Sequence, residues 1–157
     1  MILQEVVMSI EVVNGVLEKY GYDKSSLIGM LQDIQRELKW LPEEVLRMVS
    51  WRLDVPLTQL YALGSFYKAF SLKPRGRHLL NVCLGTACHV RGGAAIEQAL
   101  ERELKILPSE TTADDRFTME VVRCVGCCGL APVIVIDENF HGKIAPADAV
   151  KALENYK

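Results

Sequence analysis

All five cysteines of this chain lie in two short stretches, Cys83-Leu-Gly-Thr-Ala-Cys88 and Cys124-Val-Gly-Cys-Cys128, and the sequence before Cys83 contains none. Thiolates are nucleophiles, redox groups and strong ligands for zinc and iron, so any such chemistry is confined to two loops that the fold must bring together. The leading reading is a four-cysteine metal site, because a binuclear iron-sulfur cluster takes two thiolates per iron. Cys83 and Cys88 would hold one iron, and Cys124 with either Cys127 or Cys128 the other; spacing leaves both choices open. Gly85, Gly92, Gly126 and Gly129 suit loops that must turn sharply and aim backbone amides at sulfur.

Other chemistries compete for the same residues. A thiol-disulfide oxidoreductase built on Cys124 and Cys127 has the right two-residue gap, yet it leaves Cys83 and Cys88 without a role and lacks a helix start at its first cysteine. A zinc-stabilised assembly module could use four thiolates, although these spacings are looser than the usual zinc knuckle. Five buried structural cysteines would not be expected to gather in two loops. His89, next to Cys88, suggests a Rieske-type ligand, but four cysteines suffice, and it is expected to be a loop or partner-contact residue. Arg91 and Arg123 either offset cluster charge or are solvated, and His78 and His141 are expected on the surface or in strands.

The elements that must position these loops are legible from periodicity. Val6, Val7, Ile10, Val13, Val16 and Leu17 recur at helical spacing from Ile2 to about Tyr20, with Gly21 as a stop. A second helix begins after candidate caps at 23–26 and carries Leu27, Ile28, Leu31, Ile34, Gln35 and Leu38. A third opens at Pro42 with Val45, Met48, Val49 and Leu53 in its stripe, and a short fourth runs from about Pro56 through Leu63. Phe66, Tyr67 and Phe70, with Trp40 and Trp51, read as core rather than as an exposed patch. Residues 1–70 therefore form an N-terminal helical subdomain, one or two of whose faces are expected to dock a partner. Residues 71–78, with Pro74 and Gly76, read as the boundary.

Residues 71–157 change pattern. The strand 78–83 is followed by a helix at 94–104, an alternating strand at 117–123, an apolar strand at 133–137, a turn into 140–144 and a last helix opened by Pro146. This is an α+β chain whose second part is an α/β domain with a four-stranded mixed sheet, the minimal arrangement of a thioredoxin-like fold. Both cysteine groups directly follow strands. If those two strands are parallel neighbours, both loops leave one sheet edge, the usual place for a site.

Composition sets the outer limits. A net charge of -2 provides no basic field for a phosphate backbone, so nucleic acid is not an expected partner. The N-terminus lacks the features of a signal peptide and no apolar run reaches the roughly 20 residues of a spanning helix. The chain is therefore expected in the cytoplasm, without direct membrane insertion, and on the cytoplasmic face if its complex is membrane-bound. It contains no Gly-x-Gly-x-x-Gly fingerprint and no phosphate-binding loop, so nicotinamide and flavin nucleotides must sit elsewhere.

Cys-Leu-Gly-Thr-Ala-Cys-His-Val-Arg-Gly followed by Arg-Cys-Val-Gly-Cys-Cys-Gly-Leu-Ala-Pro resembles the thioredoxin-like [2Fe-2S] subunit that accompanies the NADH-oxidising flavoprotein of respiratory complex I, NAD-linked and electron-bifurcating hydrogenases, and NAD-linked formate dehydrogenases. The resemblance covers nearly the whole chain. It implies a non-catalytic electron-transfer subunit carrying one [2Fe-2S] cluster, with FMN and NAD(H) on a flavoprotein partner and further iron-sulfur, hydrogenase, formate dehydrogenase or complex I subunits beyond it. Among these assemblies, the stretch from Cys124 to Pro132 most resembles soluble NAD-linked or bifurcating hydrogenases. The family pattern, carried onto this sequence, implies Cys83, Cys88, Cys124 and Cys128 as ligands and leaves Cys127 as the spare thiol.

Overall fold

The computed structural model describes residues 2–156, with side chains from residue 8 onward, and the chain divides into two compact units, Met1–Pro74 and Arg75–Lys157. The first unit is four helices, α1 (Ile2–Lys19), α2 (Leu27–Leu38), α3 (Glu43–Leu53) and α4 (Leu57–Phe66). Their apolar stripes close on one another: Val13 and Leu17 from α1, Met30, Leu31 and Ile34 from α2, Val45, Leu46 and Val49 from α3 and Leu60 from α4 are buried together. Val6 and Val7 lie outside the described side chains. Asp23 caps a 3-10 turn at Lys24–Ser26 by accepting the Ser25 N–H at 3.0 Å. Pro42 is the residue before α3 rather than its first helical position.

The aromatic group does not behave as expected. Phe70 is buried, but Trp51 and Phe66 are largely exposed and Tyr67 partly so. Trp51 sits on α3 away from the Val45–Val49 stripe, and helical spacing does not say how far around its circumference a short helix is covered.

The second unit is a five-stranded sheet in the order β2-β3-β1-β4-β5, formed by Glu110–Thr111, Phe117–Val122, His78–Cys83, Val133–Ile136 and Asn139–Gly142. This is one strand more than the sequence suggests, because the two-residue β2 is too short to show a period. Strands β1 and β3 are parallel, with Cys83 opposite Val122, and β4 runs antiparallel to β1 on its other side. Three helices complete the unit: α5 (Thr86–Val90), α6 (Gly93–Leu104) and α7 (Pro146–Ala152).

Alternation along the strands sorts the residues into two layers. Leu80, Val82, Met119, Ile134 and Ile136 meet Ile96 and Leu100 of α6 and Ala149 of α7. Val133 and Val135 face the opposite way and pack with Cys83, Cys88 and Ala131. Cys83 and Cys88 are thereby embedded in a small apolar cluster at the end of β1, where burial of neighbouring side chains fixes their positions. Among the described residues, no helix is long and apolar enough to cross a membrane.

Candidate metal centre

Because β1 and β3 are parallel and in register, the chain leaves both at the same sheet edge. Cys83 ends β1, and α5, a helix the sequence pattern does not reveal, carries Cys88 back beside it. Both are buried, at 2% exposure. The second loop follows Val122, with Cys124 and Cys128 exposed and Cys127 half-buried. Gly85 permits the approach of the two loops: a Cβ there would overlap the carbonyl oxygen of Arg123 and come within 3.4 Å of the Cα of Cys124.

Within this frame the thiols associate as two facing pairs. The Sγ atoms of Cys124 and Cys128 are 3.9 Å apart. Two sulfurs bound tetrahedrally to one metal at about 2.3 Å lie about 3.8 Å from each other, so this separation needs almost no adjustment to take an iron. The side chains of Cys83 and Cys88 interact directly, and Cys128 is within electrostatic reach of Cys83. Among the described residues, no three His, Cys, Asp or Glu side chains converge as the cage of a single ion. Two pairs of sulfur donors fit a binuclear iron-sulfur centre better than a mononuclear zinc site.

Backbone amides serve the sulfurs. Burial pushes the Cys83 thiol up, but N–H groups of Gly85 and Val125 and the Cys88 side chain outweigh it and leave the thiol below its ordinary value. Burial raises Cys88, with Cys83 adding to the rise and the Val133 N–H opposing it. Cys124 raises Cys128, through their direct contact and through charge. Gly126, in the left-handed region at φ 84°, donates its N–H to Cys124 Sγ at 3.3 Å. Crowded thiols that resist joint ionisation, each next to an N–H donor, form a site that a cation stabilises.

Of the residues singled out in the sequence, Cys83 and Cys88 form one pair and Cys124 and Cys128 another, with Cys128 within electrostatic reach of both Cys83 and Cys88. Cys127 packs against the apolar cluster that includes Cys83 and Cys88. His89 is exposed; His78 bonds Asp137 at 2.8 Å and His141 bonds the Tyr156 hydroxyl at 3.1 Å, both outside the site. Arg91 donates to the carbonyl of Ala131 at 3.3 Å, tying the end of α5 to the turn that follows Cys128. Sequence reading misses Val125 and Val133 as amide donors, since a backbone N–H leaves no trace in side-chain identity.

A sequence model of the family described as thioredoxin-like [2Fe-2S] ferredoxin matches residues 13–157. The chain is 36% identical over 140 residues to HndA, a subunit of the NADP-reducing hydrogenase of Solidesulfovibrio fructosivorans, covering 89% of this chain and 82% of that protein. It is 31% identical over 147 residues to a subunit of the NADH-quinone oxidoreductase of Escherichia coli K12, covering 94% of this chain and 89% of that one. Among solved structures, an NAD+-reducing [NiFe]-hydrogenase in the H2-reduced state matches 83% of this chain with a TM-score of 0.71 and 25% identity. The match spans only 22% of that hydrogenase chain.

Proposed function

The chain belongs to the thioredoxin-like [2Fe-2S] ferredoxin family, and from that premise we propose that it is the electron-transfer subunit of a multi-subunit NAD(P)-linked oxidoreductase, holding one [2Fe-2S] cluster on Cys83, Cys88, Cys124 and Cys128. The observation that carries this reading is the pairing of thiols at one sheet edge, with the Cys124 and Cys128 sulfurs at the separation one metal requires. When bound, the cluster supplies storage for one electron at a potential set by hydrogen bonds, charge and exposure. The chain's contribution is positional. The registered strands β1 and β3 fix the two loops, α5 returns Cys88 into the apolar cluster, and amides of Gly85, Val125, Gly126 and Val133 are aimed at sulfur. Cys127, half-buried against the apolar cluster, is the thiol left out in this reading.

The partner in this reading binds FMN and NAD(H), and the assembly is a soluble hydrogenase of the NAD(P)-linked class in the cytoplasm. The 36% identity to a hydrogenase protein against 31% to a quinone oxidoreductase protein favours that choice. A thiol-disulfide reading on Cys124 and Cys127 finds less support: no helix begins at Cys124, and only a 3-10 turn, Cys128–Leu130, follows the pair. NADH tests the proposal. Added to the purified chain it should leave the visible absorption unchanged, and with the flavoprotein present it should bleach it. Absence of bleaching in the presence of the flavoprotein contradicts the proposal.

A further inference from the structure

Residues 131–132 lie between the 3-10 turn Cys128–Leu130 and strand β4 and belong to neither. Their placement matters because Val133, the first residue of β4, gives its N–H to the Cys88 sulfur. The ladder between β1 and β4 does not hold that amide, since it pairs Val82 with Ile134 and ends there. Pro132, just before it, has no N–H to offer. On its other side Val133 pairs with Gly142, and the carbonyls of Leu130 and Pro132 accept the N–H groups of Lys143 at 2.6 Å and Ile144 at 3.5 Å. These contacts all come from β5 and the residues after it. The carbonyl between them, that of Ala131, is taken instead by Arg91, whose Nη1 donates to it at 3.3 Å.

Arg91 is thus the link between the helix that carries Cys88 and the segment that carries its amide donor. The base of this link is fixed. The Arg91 N–H bonds the Ala87 carbonyl at 3.3 Å, and a Cβ at Gly93 would meet the carbonyl oxygens of Cys88 at 2.9 Å and Cys83 at 3.1 Å, so the backbone around Arg91 is pressed onto both cysteines. Among the described residues no carboxylate pairs with Arg91, which leaves the Ala131 carbonyl as its acceptor. Ala131 is only 3% exposed. A buried carbonyl that loses its donor gains no water in exchange, so the segment shifts until the group is satisfied.

We propose that Arg91 is a positioning residue that sets the reduction potential of the centre: by holding the Ala131 carbonyl to the end of α5, it keeps the Val133 N–H on the Cys88 sulfur. The inference rests on the function proposed above. An N–H aimed at a ligating sulfur favours the reduced, more negative state, so this bond raises the potential. Arg91 acts here through the backbone. Its charge is exposed to solvent, and whatever the charge adds directly is screened by salt, whereas the backbone bond is not.

The test uses the full-length chain carrying its cluster, in redox titrations at low and raised salt, with amide hydrogen exchange followed by mass spectrometry on fragments containing Val133. Arg91→Met should lower the ratio of reduced to oxidised chain at a fixed potential about tenfold, equivalent to about 59 mV for one electron, at both salt concentrations. Exchange at Val133 should quicken in the same variant. Arg91→Lys, whose ammonium can donate to the same carbonyl, should restore most of both. Arg123→Met removes an exposed cation beside Cys124 and should shift the potential at low salt only, with Val133 exchange unchanged. In the cluster-free chain, alkylation of the buried Cys88 should run about tenfold faster in Arg91→Met than in the parent, a difference read whether or not that variant retains its cluster. A parental potential, a shift that vanishes in raised salt, no restoration by Arg91→Lys, or parental exchange and alkylation overturns the inference and leaves the proposed function standing. A parent chain that holds no [2Fe-2S] cluster overturns both.

Discussion

Gly85→Ala is the sharpest single perturbation of the site. The new methyl would be driven into the Arg123 carbonyl oxygen, well inside the 3.0 Å that real Cβ atoms keep, while reaching Cys124 only at ordinary contact distance. The obstacle is backbone, so no flexible side chain can swing away. Relief requires the Cys83–Cys88 loop and the Cys124–Cys128 loop to separate by more than about half an ångström, at a cost of about 1 to 3 kcal/mol for an overpacked contact. Iron-sulfur bonds near 2.3 Å tolerate about 0.2 Å of error. The loop separation therefore exceeds what a shared cluster can absorb. The assay is iron and acid-labile sulfide per chain after anaerobic purification, with visible circular dichroism as a measure of cluster geometry. Gly129→Ala serves as control, since a Cβ there meets nothing within 4 Å. The variant should lose most of its cluster while the control keeps it. Full loading of Gly85→Ala with an unchanged spectrum would refute the claim that close contact of these loops assembles the site.

Cys127→Ala should retain the visible spectrum and Cys128→Ala should lose it, because Cys128 pairs with Cys124 at 3.9 Å and Cys127 packs against the apolar cluster instead; the opposite pattern reverses the ligand assignment. The helical unit should lose stability in acid through Asp33, whose carboxyl is held below its usual range by the hydrogen bond from Lys19, with Tyr20 and Arg36 assisting. A depressed folded value means that the unfolded chain takes up more protons, so this stabilisation is complete above the unfolded value of about 3.9 and disappears as pH falls through the folded one. Urea midpoints of Asp33→Asn should consequently fall less steeply between about pH 5 and pH 2 than those of the parent chain. Arg116 donates to the carbonyls of Tyr156 at 2.6 Å and Leu153 at 2.7 Å, fastening the C-terminal turn, and Arg116→Ala should cost about 2 to 4 kcal/mol in denaturant unfolding.

Sequence patterns reveal the elements that repeat a period and miss those that do not. The stripes of α2 and α3 and the strand 78–83 are visible because four or more residues alternate or recur, and the placement of both cysteine groups after strands follows directly. Helix α5 has five residues and strand β2 two, too few for a period, although α5 is what seats Cys88. Trp51 and Phe66 read as core in the sequence and are exposed in the fold, since a helical stripe identifies one buried face but not the limits of its cover. Contacts that depend on distant backbone, such as Gly85 on Arg123 or the Val133 amide beside Cys88, have no local signature; only the fold makes them neighbours. Spacing leaves Cys127 and Cys128 equivalent as partners of Cys124; the family resemblance implies Cys128, and the fold sets its sulfur 3.9 Å from that of Cys124.

Metal and sulfide analysis of the anaerobically purified chain bears most directly on the central claim. A binuclear centre predicts a coloured protein with about two iron atoms and about two acid-labile sulfides per chain, and zinc only in trace amounts. A colourless protein with about one zinc per chain and no sulfide would contradict it, and would reassign the same four thiolates to structure.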